Sequence, residues 1–288
     1  MDHHTVTVRG TELAFLEAGE GPLALCLHGF PDTAHTWRHL LPRLAEAGFR
    51  AVAPFNRGYA PSAVPTDGFF QSGALAADAN ALHDALGADG DAVVIGHDWG
   101  ALATYGAAGA APDRWRRAVA LAVPPTVAMG TAMFTYAQLR RSWYMFCFQH
   151  GLADLLVAQD DLAFLDHLWS DWSPGYDASE DLLHVKAALR EPANLAAALG
   201  TYRATLGDGP QSPDLAGEQT ACGAVPPQPT LYLHGSTDGC MGVEVARAAA
   251  PAFDLDGYRH EVIEGVGHFL HLEAPDEVNG RILAFLTS

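Results

Sequence analysis

Short runs of apolar residues alternate along this chain with stretches in which apolar positions recur every three or four residues. The runs at 23–27, 50–54, 92–95, 117–123, 230–233 and 259–263 read as strands, most of them apolar enough to be buried on both faces. The periodic stretches between them predict helices at 37–47, 74–86, 99–111, 243–250 and 275–286, with Gly48 and Gly87 placed to end the first two. Two alternating runs, 5–9 and 12–16, flank Gly10-Thr11 and predict a hairpin. Strands separated by helices imply a mostly parallel sheet covered on both faces, an α/β fold. The alternation is interrupted once. After Pro124-Pro125, residues 126–206 keep a helical period with many aromatics and no strand, and 207–229 is a Gly/Pro-rich stretch that reads as an irregular connection. The expected division is a core of residues 1–123 and 229–288 carrying a helical cap at 124–228.

The sharpest chemical signal stands between the strand at 92–95 and the helix at 99–111, in Gly96-His97-Asp98-Trp99-Gly100. A strand, a glycine-flanked turn and a helix lift one side chain above the edge of a sheet. The ordinary reading of Asp98 is a helix N-cap. That accounts for the aspartate but not for a glycine two residues away on each side. A serine on such a turn needs a base before it can attack. A carboxylate, with a reference pKa of about 4, is already ionised at neutral pH. Asp98 is therefore suited to attack a saturated carbon and leave an alkyl-enzyme ester.

Composition narrows the partners. The 288 residues, 49% of them hydrophobic, suffice for one large domain or a core with an insertion. Sixteen Lys and Arg against 34 Asp and Glu give a formal charge of −18. That field repels phosphate backbones and anionic lipid, so neither nucleic acid nor a membrane surface is an expected partner. No signal-peptide pattern opens the sequence and no apolar stretch is long enough to span a bilayer. Cys26, Cys147, Cys222 and Cys240 are scattered with no CxxC pair, which suits a reducing cytoplasm. His3, His4, His268 and His271 show no converging tetrahedral spacing, so neither a metal nor a cofactor is expected. Monomer and homodimer both stay open.

With these motifs in place, the chain resembles the α/β-hydrolase superfamily over nearly its whole length, and within it the epoxide hydrolases. The turn at Asp98 is similar to the family's G-x-S-x-G elbow with aspartate in place of serine. His28-Gly29-Phe30-Pro31 resembles the family's HGxP loop, which implies an oxyanion hole made by the backbone N–H groups of Phe30 and Trp99. Taken alone, Thr237-Asp238-Gly239 is good material for an Asx turn, and His268 is one of 14 histidines. The order 98, 238, 268, each position following a predicted strand, matches the family's nucleophile, acid and histidine. It implies that Asp98 attacks, Asp238 orients His268, and His268 activates water.

The cap adds two further likenesses. Ser142-Trp143-Tyr144-Met145-Phe146-Cys147-Phe148-Gln149 and Thr201-Tyr202-Arg203 resemble the two cap motifs of epoxide hydrolases. They imply that Tyr144 and Tyr202 donate to the epoxide oxygen, with Tyr136 the replacement should one fail; the plainer reading of each is an amphipathic core tyrosine. Trp99, Phe30, Trp143 and Phe148 are the expected apolar contacts of the substrate. Asn56-Arg57-Gly58-Tyr59-Ala60-Pro61-Ser62 resembles the family's RGYGxS turn, departing from it at Asn56 and Ala60, and Arg57 is expected in a structural salt bridge.

The resemblance thus implies hydrolysis of a small apolar epoxide, with water, to a vicinal diol. Haloalkane dehalogenases share the aspartate elbow and often the tryptophan after it. Their second halide donor is commonly an asparagine at the third position of HGxP, where this chain has Phe30. Fluoroacetate-type dehalogenases carry arginines at and beyond the elbow, where Trp99, Ala101, Leu102 and Ala103 stand here. A non-catalytic, ligand-binding member of the fold would have no need for Asp98, Asp238 and His268 together.

Overall fold

Eight strands form one sheet in the computed structural model, which describes residues 2–288. They are β1 (Asp2–Val8), β2 (Thr11–Ala18), β3 (Leu23–Leu27), β4 (Arg50–Pro54), β5 (Val93–His97), β6 (Arg117–Leu121), β7 (Thr230–Gly235) and β8 (Arg259–Ile263). Their spatial order is β1-β2-β4-β3-β5-β6-β7-β8. β1, β2 and β4 pair antiparallel, and every pair from β4 across to β8 is parallel. Every residue of β3, β5 and β7 is buried, as their unbroken apolar character requires.

The order decides where a ligand can sit. The chain leaves β3 to form β4 on one side and later returns to place β5 on the other. The loops leaving β3 and β5 therefore diverge, and the crevice of a parallel sheet opens at such a reversal, beyond the carboxyl ends of the strands. His28 to Pro31 follows β3 and Asp98 follows β5, so both border that crevice.

Three elements differ from the sequence reading. The helix expected at 37–47 is two pieces, a 3-10 segment Ala34–His39 and an α-helix Leu41–Glu46. Pro42 has no N–H to carry the hydrogen-bond ladder through, so the helix starts afresh there. The stretch 207–229 is not wholly irregular, since it contains a helix, Ala216–Ala221. That helix packs on Ser72–Ala85 and Trp99–Ala110. The adjoining residues are tied by bonds from Gly73 N–H to Gln219 Oε1 (2.7 Å) and from Ser212 N–H to Gln71 Oε1 (2.7 Å). Ala153–Trp172 is also broken, at residues 159–162, where Asp160, Asp161 and Leu162 take positive φ.

The inserted region between β6 and β7 is helical, with no strand among its described residues. Trp143–Gln149, Ala153–Trp172, Ser179–Leu189 and Pro192–Leu206 are its main helices. Specific bonds fasten it over the crevice. Trp169 Nε1–H donates to Pro31 O (2.9 Å), Asn194 Nδ2–H donates to Gly58 O (2.7 Å), and Trp169 stacks on Phe269. Beneath it, Arg57 holds Asp78 through two bonds of 2.6 and 2.7 Å, the structural ion pair expected of the RGY turn.

Candidate active site

At the end of β5 the backbone turns sharply at Asp98, with φ 54° and ψ −119°. An L-residue held there costs on the order of 1–3 kcal/mol and persists only where the surroundings enforce it. The surroundings are backbone. A Cβ on Gly96 would stand 2.0 Å from Gly100 O, and one on Gly100 would stand 2.1 Å from Leu27 O. Both glycines are required by close approach. The N-cap reading of Asp98 fails, because its side chain caps no N–H of the helix that follows.

Asp98 instead reaches across the crevice. Its Oδ1 accepts the Phe30 N–H at 2.8 Å, and its Oδ2 lies 3.6 Å from His268 Nε2. His268 Nδ1 bonds Asp238 Oδ2 at 3.0 Å. The other oxygen of Asp238 accepts the N–H groups of Cys240 (2.7 Å) and Met241 (2.8 Å). One oxygen of Asp238 thus builds the turn and the other holds the imidazole. Burial opposes charge on His268, but the negative groups around it outweigh that. An ionised Cys240, Asp238 and Asp98 together move its pKa well above the usual histidine value. Burial keeps the Cys240 thiol itself above its ordinary value.

A cavity of about 400 Å³ opens above this group, with Asp98, Trp99, Tyr202 and Cys240 at its buried inner end and Phe134 and Phe146 at its exposed outer end. The Tyr202 hydroxyl and the Trp99 indole N–H adjoin there, their rings edge-on at 4.9 Å, and neither completes a hydrogen bond. Burial and then the Asp98 charge hold Tyr202 well above the usual tyrosine pKa, so it stays an O–H donor. Tyr144 is fully buried beside it, 5.7 Å between ring centroids, with its hydroxyl 3.3 Å from Cys240 Sγ.

The remaining expected contacts stand elsewhere. Phe30 and Phe148 are fully buried behind Tyr202, their rings edge-on to it at 5.2 and 5.0 Å. They support the tyrosine and do not line the cavity. Trp143 faces outward, 46% exposed, beside a separate depression with Arg140, Arg141 and Asp171. On the helix Trp143–Gln149, Tyr144 and Phe148 lie four apart and turn inward, which puts position 143 on another face. Tyr136 is 80% exposed and lies outside the cavity.

Residues 22–275 match the α/β-hydrolase fold family. The chain is 31% identical to epoxide hydrolase A of Mycobacterium tuberculosis, over 98% of this chain and 96% of that protein. It belongs to the epoxide hydrolase-like branch of the α/β-hydrolases. Among solved structures, an epoxide hydrolase from an endophytic Streptomyces superposes with a TM-score of 0.78 at 30% identity, covering 99% of this chain and 95% of that one. An epoxide hydrolase from Vigna radiata superposes at 0.79 with 27% identity, covering 99% and 98%. The likeness includes the inserted helical region.

Two features of this α/β-hydrolase were not legible in the sequence. Cys240 reaches the inner end of the cavity, although no spacing marks it. Behind His268, Asp32, His97 and His271 form a buried polar cluster, and His97 Nε2 bonds His268 O at 3.0 Å. Asp32 Oδ2, His97 Nδ1 and His271 Nδ1 are buried without a hydrogen-bond partner. Burial first, then neighbouring histidines, lower His97 and His271 well below the usual value, so both are neutral. The side chain of His3 lies outside the described residues, and His4 stands at the far edge of the sheet, 4.0 Å from Glu17. Among the described residues, no helix is long and apolar enough to cross a membrane.

Proposed function

We propose that the protein hydrolyses small apolar epoxides to vicinal diols through an ester on Asp98. The observation that carries this reading is the Tyr202 hydroxyl, a buried donor without a partner, in the same apolar cavity as the Asp98 carboxylate. An epoxide offers what that pair requires: a saturated carbon for the carboxylate and an oxygen for the O–H. Asp98 Oδ2 attacks the carbon and the C–O bond of the ring breaks. The developing alkoxide accepts from Tyr202, with Tyr144 as the second donor. Oδ1 becomes the ester carbonyl oxygen, held by the N–H groups of Phe30 and Trp99.

Esterification removes the negative charge of Asp98. His268 then loses one of the groups that keep it protonated, and its proton neutralises the alkoxide. The neutral imidazole next takes a proton from water, which attacks the ester carbonyl. Collapse of the tetrahedral intermediate releases the diol and restores the carboxylate, with Asp238 orienting the ring throughout. The four cysteines, none of them bridged, support a reducing cytoplasm as the working compartment.

One observation favours a second reading, displacement of a halide: the buried Trp99 N–H without a partner could hold the leaving anion. Phe30 has no side-chain donor to complete such a site. A panel of aryl and alkyl epoxides and haloalkanes, scored in parallel for diol and halide, separates the two. Diols are expected. Halide release without diol would replace the first reading by the second.

A further inference from the structure

Cys240 takes no part in the chemistry above, yet it stands among the reacting groups. One donor atom from each of Asp98, Cys240 and His268 lies within 4.8 Å of the other two, and all three residues are buried. We propose that these residues form a binding site for a thiophilic divalent cation, with zinc as the type, whose occupancy shuts the active site reversibly.

Thiolate, imidazole and carboxylate together form a donor set that selects zinc-like ions over magnesium or calcium, which prefer oxygen alone. A tetrahedral zinc keeps its ligands roughly 3.3–3.7 Å apart. His268 Nε2 and Asp98 Oδ2 already stand at 3.6 Å. The sulfur lies within 4.8 Å of both.

The second observation is independent of the cysteine. His268 Nε2 is buried and completes no hydrogen bond. Its other nitrogen is tied to Asp238 at 3.0 Å, the carboxylate–histidine arrangement that aims an imidazole at a metal and raises its basicity. The opposite oxygen of Asp98 stays anchored on Phe30 N–H, so Oδ2 can turn to the cation without loss of its support. The Tyr144 hydroxyl, 3.3 Å from Cys240 Sγ, would donate to the thiolate once its proton leaves. The cavity, lined by Asp98 and Cys240, provides an entry path, and water would take the fourth position.

Binding displaces the thiol proton and, where His268 is protonated, its Nε2 proton, so it releases protons and weakens as pH falls. An occupied site engages Asp98 Oδ2 and His268 Nε2 together, which removes the attacking oxygen and the base. No sequence spacing announces the site, because its ligands come from loops after three different strands.

The test reads binding directly and does not depend on any substrate. Full-length protein is titrated with zinc by calorimetry and with cobalt by absorption. One equivalent per chain, tetrahedral cobalt bands and a thiolate-to-cobalt charge-transfer band are expected. Cys240→Ser should lose the charge-transfer band, whereas Cys147→Ser should keep it. Cys240→Ala and His268→Gln should each weaken zinc binding by more than about tenfold, since loss of a ligand costs at least as much as loss of a supporting carboxylate. With a working epoxide, zinc should inhibit diol formation, a chelator should restore it, and Cys240→Ser should resist relative to its own metal-free rate. Absence of the charge-transfer band from the native protein, or its persistence in Cys240→Ser, overturns the proposal. Should a cysteine variant not fold by circular dichroism, His268→Gln decides the matter through affinity alone. Failure to turn over epoxides would leave the binding result standing.

Discussion

The backbone N–H of Phe30 donates to Oδ1 of Asp98 at 2.8 Å, so the loop after β3 already grips one oxygen of the carboxylate carried by the loop after β5. The two oxygens are thereby made unequal. Oδ1 sits in the donor hole, and Oδ2 is left facing His268 at 3.6 Å. In the proposed ester mechanism, the oxygen outside the hole would form the new bond to carbon, and the one inside would become the ester carbonyl.

This inequality predicts the fate of an isotope. Single turnover in labelled water should place the label in the Asp98 carboxylate, because water attacks the ester carbonyl. His268→Gln should open an epoxide and stall, gaining the mass of one substrate on the peptide that contains Asp98. Label found in the diol with Asp98 unlabelled would make Asp98 a general base and end the ester mechanism.

The two cap tyrosines should not contribute equally. Tyr202 lines the cavity with its hydroxyl unpartnered, whereas the Tyr144 hydroxyl is shared with Cys240 Sγ. Tyr202→Phe should raise the ring-opening barrier by about 2–4 kcal/mol, tens- to hundreds-fold in rate. Tyr144→Phe should cost less. Pre-steady-state alkylation rates for the two variants and the double variant check the order, and equal losses would contradict it.

Stability should fall in mild acid. Burial, with the nearby charge of His35 adding to it, lowers the His28 pKa to about 4 against an opposing bond to Gly29 O. Its Nε2 accepts the Asn56 N–H at 3.0 Å, which also requires the neutral ring. Below about pH 6.5 the unfolded chain binds a proton at His28 that the folded chain refuses. Stability is therefore lost between about pH 6.5 and 4, by about 3 kcal/mol from this residue. His97 and His271 act in the same direction. His268 acts in the opposite one, because its folded pKa is raised: its contribution is complete below about pH 6.5 and is lost as pH rises through the folded value. Urea midpoints should drop from pH 7 to 4, and more steeply in His268→Gln. A flat profile would mean that the buried histidines are not held neutral.

The elbow should tolerate no side chain at Gly96. A Cβ there meets the Gly100 carbonyl at 2.0 Å, and the neighbour is backbone that cannot swing aside. Gly96→Ala should destabilise by more than about 3 kcal/mol, as expected where overpacking forces the backbone itself to move. Thermal unfolding or soluble yield measures this, and a native-like midpoint would show that the turn can relax.

The sequence by itself determined the alternation of strands and helices, the single helical interruption, and the order in which Asp98, Asp238 and His268 follow their strands. Those features are local. Period, glycine spacing and turn residues are properties of a few neighbouring positions, and a strand followed by its loop is read in one pass. Pro42 and the helix Ala216–Ala221 mark the limit even there, since one missing donor and one tertiary contact reset the boundaries.

Only the tertiary structure decided which side chains meet. Trp143 and Tyr144 are adjacent in sequence, yet one faces outward and the other is buried, because a helix turns by about 100° per residue and packing selects the face. Cys240 stands two residues beyond Asp238. Asp238 accepts its N–H, and that turn sets the thiol among groups 142 positions before it and 28 after. The Asp32, His97 and His271 cluster is likewise assembled from three separate places, the loop after β3, the end of β5 and the short helix Leu270–Glu273. Distances of this kind depend on the order of strands in the sheet, and that order is set by the packing of the whole chain.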